Sequence, residues 1–251
     1  MTSLALALDT STPVLSCALL EHDARALRIL ATRASGPPVI VSTLVPSLFD
    51  EMLCEAGRTF KDLSLLVAGL GPGLFTGTRV ALATMKAIAY ARKLPLAGAG
   101  SLEAMALAAA RGESLRAGDE LPFETLLDSG WLCPVLDARK GEVYFAVHRF
   151  RRGQLETQSP PRAARPKVVV ELLASSASSP KPIGAGVNVL GAGLTPQEPL
   201  FPGAAEIAYL ALQRDREPTF DLARVLALEP TYLRPPEAEV ARQKRELSKG
   251  L

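Results

Sequence analysis

One stretch, Leu65 to Leu96, constrains the fold more than any other. It begins with an apolar run of strand length, Leu65 to Leu70. A glycine-rich turn follows, with Gly71, Pro72, Gly73 and Gly77, and then an Ala-rich segment free of Gly and Pro until Pro95. Strand, glycine turn and helix in that order make one half of a βαβ unit, so the chain reads as α/β. Glycine lacks a Cβ, which permits positive φ and a close approach of backbone to another group. Thr76 is placed to cap a helix beginning near Gly77. A helix N-terminus behind such a turn can hold an anion. Two phosphate motifs nevertheless fail: Thr78-Arg79 stands where a Walker A motif needs Lys and Ser/Thr, and Thr76 stands where GxGxxG needs its last glycine. Locally the turn reads equally as a tight connection or as the remnant of a phosphate loop.

The opening residues repeat this theme in β form. Leu4–Leu8 and Val14–Leu20 are apolar runs flanking Asp9-Thr10-Ser11-Thr12-Pro13, and Asp23 marks a hairpin before a third strand at 24–31. An acid at a strand end followed by hydroxyl residues can hold a phosphate or a metal-bound water, or simply cap its own turn. Trp131–Leu136, the turn Asp137-Ala138-Arg139-Lys140-Gly141 and the strand Glu142–Phe150 repeat the plan, which suggests an internal duplication. After Gly36-Pro37-Pro38, the residues Val41, Leu44, Val45, Leu48, Phe49, Met52 and Leu53 recur at helical spacing and predict an amphipathic helix, with Cys54 on its apolar face. Thr59 and Asp62 have the spacing of a capping box. Helices are also expected from Ser101 to Ala110, over 167–174 and over 204–214, and 157–166 reads as a Pro/Arg-rich connector.

Chemistry-bearing clusters are scarce. His22 and His148 have no ligand partner at i+3 or i+4 and read as half-buried strand residues. Cys17, Cys54 and Cys133 lie far apart and suggest reduced thiols in a cytoplasmic protein. Neither a signal peptide nor a membrane-length apolar run is seen. A net charge of +2 is too small to argue for nucleic acid or membrane by itself. Asp9 and Asp137 could pair as carboxylates, but no base, nucleophile or metal cage stands beside them in the sequence.

Together the motifs resemble the TsaB (YeaZ) family: Asp9-Thr10-Ser11-Thr12; Gly71-Pro72-Gly73-Leu74-Phe75-Thr76-Gly77-Thr78-Arg79; Ser101-Leu102-Glu103; Leu136 through Tyr144; and Pro230-Thr231-Tyr232-Leu233-Arg234. The resemblance implies an actin-like, sugar-kinase and Hsp70-like (ASKHA, ribonuclease H-like) duplicated fold with mixed sheets flanked by helices. The expected division is an N-terminal domain over 1–111, a loop at 112–130, a smaller C-terminal domain over 131–228 and a tail from 229 to 251. It implies a non-catalytic scaffold subunit that pairs with a TsaD-like transferase and is joined by a TsaE-like ATPase. The product that the resemblance implies is N6-threonylcarbamoyladenosine at position 37 of tRNAs reading ANN codons. ATP and metal would reside in the partner subunits, and tRNA would be met through the complex. TsaD-like proteins carry HxxxH where this chain has Ser101 and Met105, and a hydroxyl and a thioether cannot hold a hard metal there.

The residues expected to form the turn or phosphate-loop remnant are Asp9, Thr10, Ser11, Gly71, Gly73, Gly77, Arg79, Asp137 and Arg139. Arg79, a cation in the first turn of a helix, opposes the dipole and so calls for a carboxylate or phosphate partner, unless it is simply solvated. The partner surface is expected at Val41, Leu44, Leu48, Met52, Val80, Ala83, Thr84 and Ala87, serving a homodimer and a competing heterodimer. Ile40, after Pro37-Pro38, departs from the His often found near there in the family. The alternative reading is a stand-alone enzyme of the same fold, a small-molecule kinase or an M22-type peptidase.

Overall fold

Strand β1 (Ser3–Asp9) alternates large and small side chains, and this alternation sets the layers of the molecule. A computed structural model describes residues 2–36, 41–191 and 193–234, with only the backbone of 41–44. The expectations at Pro37, Pro38 and Ile40, the side chains of Val41 and Leu44, and the tail beyond Arg234 lie outside the described residues. Leu4, Leu6 and Leu8 point to one face of the first sheet, where α1 (Val41–Glu55) and α2 (Phe75–Arg92) supply Val45, Phe49, Met52, Leu82 and Met85. Ala5 and Ala7 point to the other face, where α6 (Ala204–Arg214) packs with α3 (Ser101–Arg111) beside it.

The first sheet contains β2 (Leu15–His22), β3 (Ala26–Ser35), β4 (Leu63–Gly69), β5 (Leu96–Ala99) and β6 (Glu120–Pro122), in the order β5-β4-β1-β2-β3-β6. β1, β4 and β5 run parallel, and β2, β3 and β6 join through antiparallel pairs. The second sheet has β7 (Leu132–Arg139), β8 (Glu142–Arg151), β9 (Gln154–Ala164) and β10 (Lys181–Ile183), in the order β10-β7-β8-β9. Its directions repeat those of β4-β1-β2-β3, so the duplication expected from the two acid-led turns is a duplication of topology. Helices α4 (Pro166–Ser175) and α5 (Val187–Leu190) cover its outer face over Val135, Val143, Phe145 and Val147. The layers are therefore α1/α2, first sheet, α3/α6, second sheet, α4/α5. Every residue of α6 from Ala204 to Leu212 is buried, because it packs on the strands of the first sheet and on α3.

Four further expectations are corrected. Segment 112–130 is not all loop: β6 pairs with β3 and extends the first sheet. Segment 157–166 is largely strand: β9 tolerates Pro160 and Pro161 because it is the outermost strand, where a missing N–H breaks no ladder on its open side. Helix α2 begins at Phe75, not near Gly77, and Thr76 is not its cap. Cys54 is exposed rather than on the apolar face of α1, while Cys17 and Cys133 are buried free thiols. The Thr59–Asp62 capping box forms as expected at a short 3-10 turn before β4.

Candidate functional site

Three of the five sequence motifs, 9–12, 71–79 and 101–103, meet at the C-terminal ends of β1 and β4, and 230–234 links them to the fourth, 136–144, in the second half. Asp9 closes β1 and is fully buried. The Ser11 N–H and Ser11 hydroxyl donate to its Oδ1 at 3.0 and 2.7 Å, and the Ser101 hydroxyl, from the first residue of α3, donates to Oδ2 at 2.8 Å. Burial raises the Asp9 pKa above the ordinary carboxylate value, and these three hydrogen bonds partly oppose that rise. Burial, with the Asp9 charge nearby, also pushes the Cys17 thiol up, which leaves it unreactive. The Thr10 hydroxyl is buried with no hydrogen-bond partner among the described residues.

The glycine turn is seated directly on the first turn. A Cβ at Gly73 would lie 2.0 Å from the Ser11 carbonyl oxygen, and one at Gly77 would lie 2.5 Å from that of Thr10. The Leu74 N–H donates to the Ser11 carbonyl at 2.6 Å. Backbone carbonyls of the Asp9–Thr12 turn thus pack against the start of α2, the place an anion would take in a phosphate-binding loop. The Ser101 N–H donates to Gly71 O at 2.8 Å, which ties α3 to the same turn. In this geometry Gly73 and Gly77 serve close backbone packing, and Gly71 supplies the positive φ of the turn.

Arg79 points elsewhere than expected. Its Nε donates to the Tyr232 hydroxyl at 2.6 Å, and its guanidinium lies 4.2 Å from the Phe75 ring centroid and 5.3 Å from that of Tyr232. Within the protein its partners are the Tyr232 hydroxyl and two aromatic rings, and no carboxylate pairs with it among the described residues. Residues 230–234 run as a strap across the molecule. The Thr231 N–H donates to Leu70 O at 2.7 Å in the first half. Arg234 reaches the second half, donating to Ala138 O at 3.0 Å and pairing with Glu142. Tyr232 and Arg234 anchor this segment.

Asp137 and Asp9 do not form a carboxylate pair. Asp137 is exposed; it accepts the Arg139 N–H at 2.7 Å and lies 3.5 Å from the Arg139 guanidinium. Both histidines are more deeply buried than expected, and burial lowers their pKa values, that of His148 to about 4. Ser101 and Met105 are both fully buried, the first holding Asp9 and the second in the core. Among the described residues no group of three His, Cys, Asp or Glu side chains is arranged to hold a metal. Among them also, no helix is long and apolar enough to cross a membrane.

The expected partner surface divides. Leu48 and Met52 belong to the core beneath α1, because the stripe that contains them faces the sheet. Ala83 and Ala87 are exposed, and Val80 and Thr84 half-buried, on the outer side of α2. Among the described residues, five of the seven exposed large apolar side chains surround this helix: Phe75 and Tyr90 on it, Leu222 and Leu226 on α7 (Leu222–Ala227), and Tyr232 on the strap. Helix α7 packs on α2, where Lys86 Nζ donates to Leu226 O at 2.8 Å. Sequence reasoning missed Phe75, α7 and the buried Glu206, which accepts the Leu115 N–H at 2.5 Å. An acid on an otherwise apolar helix was the available signal for Glu206.

Comparison with known proteins gives this arrangement relatives. The family model described as "TsaD: tRNA N6-adenosine threonylcarbamoyltransferase" matches residues 42–178, more than half of the chain. The tRNA threonylcarbamoyladenosine biosynthesis protein TsaB of Bacillus subtilis is 30% identical over 155 residues, covering 62% of this chain and 59% of that one. The match thus spans less than two thirds of that relative's length. The Escherichia coli protein of the same name is 27% identical over 237 residues, covering 91% of this chain and 94% of that one. The crystal structure of an uncharacterized Pseudomonas aeruginosa protein, described as similar to peptidase YEAZ, superimposes with a TM-score of 0.70 at 26% identity, covering 92% of this chain and all of that one. The chain belongs to the family that the TsaD model describes, and the Escherichia coli relative that it matches over nearly its whole length carries the name TsaB.

Proposed function

We propose that this chain is a non-catalytic subunit that pairs with a TsaD-like transferase in forming N6-threonylcarbamoyladenosine at position 37 of tRNAs reading ANN codons. A TsaE-like ATPase joins the pair, and ATP and metal are held by the partner subunits in the cytoplasm. One observation carries the reading: the motif cluster is closed upon itself, while α2, which rises from it, turns an apolar and small-residue face outward. Asp9 spends both oxygens on Ser11 and Ser101, and the carbonyls of Thr10 and Ser11 sit against the start of α2. Ala83, Ala87 and the surrounding exposed Phe75, Tyr90, Leu222 and Leu226 form a patch of the kind that marks an interface. The names of the B. subtilis and E. coli relatives support the biosynthetic assignment. The same α2 face would serve a weaker homodimer that the transferase displaces.

Co-purification with an untagged TsaD-like partner tests the reading. Ala83→Glu with Ala87→Glu should abolish capture while leaving the melting temperature of the free chain unchanged, because an unpaired carboxylate at a desolvated interface is costly. Capture of the variant at wild-type affinity would place the interface elsewhere. Turnover of ATP or peptide by the isolated chain, lost in Asp9→Asn, would overturn the non-catalytic assignment.

A further inference from the structure

The net charge of the chain is concentrated in one segment. Between Arg149 and Lys167 stand six cations, Arg149, Arg151, Arg152, Arg162, Arg165 and Lys167, against one anion, Glu156. The whole chain has 28 cations and 26 anions, so this segment more than accounts for the net charge of +2. The segment comprises the end of β8, all of β9 and the start of α4, and β9 is the outermost strand of its sheet. Register places Arg149, Arg151 and Arg162 on one face, since Arg149 pairs with Glu156, Arg151 with Gln154 and Phe145 with Arg162. Arg162 lies over the Phe145 ring at 4.7 Å and Arg149 over Trp131 at 4.4 Å, which fixes two guanidinium groups against aromatic faces. Arg151, Arg152 and Arg165 are exposed, and their guanidinium groups have no anionic partner among the described residues.

An open strand edge can recruit another strand, but this edge resists it. Pro160 and Pro161 remove two donors from it, and the arginines crowd its flanks. What the surface offers is two groups of positive charge, Arg151 and Arg152 at one end of β9 and Arg162 and Arg165 at the other, separated by about 30 Å at about 3.3 Å per residue, while Arg149 is paired with Glu156. We propose that this edge is a contact for the phosphodiester backbone of an RNA, and that the RNA is the tRNA of the reaction named above. The choice of tRNA rests on that functional reading; the polyanion contact rests on the charge and the strand edge. Arginine forks suit phosphate oxygens, and such contacts position an RNA without reading its sequence. The surface belongs to the second half of the molecule, away from the α2 face assigned to the protein partner, so both can be occupied together.

Titration of fluorescent tRNA with the full-length chain, alone and with its transferase partner, at several salt concentrations tests the proposal. Arg151→Glu with Arg152→Glu should weaken tRNA binding at least tenfold and lower the slope of log affinity against log salt by about 1.5, as expected for two lost phosphate contacts. The paired lysine substitutions should retain most of both. The melting temperature and capture of the partner should not change, because both side chains are exposed at the β8–β9 turn. Binding unaffected by charge reversal, absence of tRNA binding by the wild type, or preference for polyglutamate or phosphatidylserine vesicles over tRNA would overturn it. Partner capture is read separately, so failure of the scaffold assignment and failure of the RNA contact are distinguishable.

Discussion

The two halves of the molecule carry one strand plan but use its turns differently. In both, a glycine turn after the strand that pairs parallel with the first packs on the backbone of the first strand or of the turn that follows it. Gly73 and Gly77 meet Ser11 and Thr10 in the first half; in the second, a Cβ at Gly184 or Gly186 would lie 2.6 Å from Val135 O or Leu136 C. The acids diverge. Asp9 is buried among hydroxyl donors, whereas Asp137 is exposed beside a hairpin turn in which Arg139, Lys140 and Gly141 all have positive φ. The helices diverge as well: α2 runs for 18 residues and presents an outer face, and α5 stops after four. The close backbone contact is thus the part the shared topology demands, and the acid and the helix length are free to vary.

The largest expected effect tests that shared contact. Gly73→Val should cost about 3 kcal/mol or more, since its Cβ would overlap a backbone carbonyl that no rotamer can move. Gly186→Ala should be comparably damaging in the second half, with Leu136 backbone 2.6 Å away. Gly141→Ala, with positive φ but open space around it, should cost only about 1 kcal/mol. Urea denaturation of the three variants measures this ranking, and equal losses at Gly73 and Gly141 would break the comparison.

The next effect is a difference of sign in pH dependence. Burial lowers the His148 pKa from 6.5 in the unfolded chain to about 4 in the fold, so the unfolded state binds more protons between those values. His148 therefore contributes stability above pH 6.5 that is lost as pH falls toward about 4, amounting to about 3 kcal/mol at most. Asp9 acts oppositely. Its folded pKa lies above its unfolded 3.8, so its stabilisation is complete below 3.8 and is lost as pH rises through the raised value. His148→Gln should flatten the acid limb of stability against pH, and Asp9→Asn should flatten the loss on raising pH above 3.8. Denaturation midpoints from pH 3 to 8 would show whether the two limbs respond separately.

The smallest effects concern the strap between the halves. Arg234→Ala removes two carbonyl contacts and the Glu142 pair at a half-buried site, and should cost about 1–2 kcal/mol. Arg79→Ala removes an exposed cation–π stack and should cost about 0.5–1 kcal/mol. If Arg79→Ala destabilises more than Arg234→Ala in thermal melts, the strap is held chiefly by the first half.

Much of this was legible in the chain itself. The glycine turn between an apolar run and an Ala-rich segment announced β4 and α2, and the repeated acid-led turns announced the duplication. The i, i+3, i+4 stripe announced α1 but was assigned to a partner as well as to the core, and Leu48 and Met52 belong wholly to the core. Strand β9 was hidden because Pro160 and Pro161 read as a connector unless one knows the strand is outermost. Strand β6 was hidden because three residues carry too little periodicity to be recognised without β3 beside them.

What the sequence by itself determined is local: which segments alternate with period two, which repeat with period 3.6, and where glycine must stand for the backbone to turn. These follow from steric limits and side-chain spacing within a few residues. What only the tertiary structure decided is which groups meet. Asp9 and Ser101 are 92 residues apart, and Arg79 and Tyr232 are 153 apart. Whether an acid at a strand end faces water, a ligand or two hydroxyls depends on how the elements stack, because burial and hydrogen-bond supply come from residues remote in the chain. Asp9 and Asp137 begin as similar acid-led turns, and the layers around them make one a buried hydrogen-bonded core and the other an exposed hairpin flank.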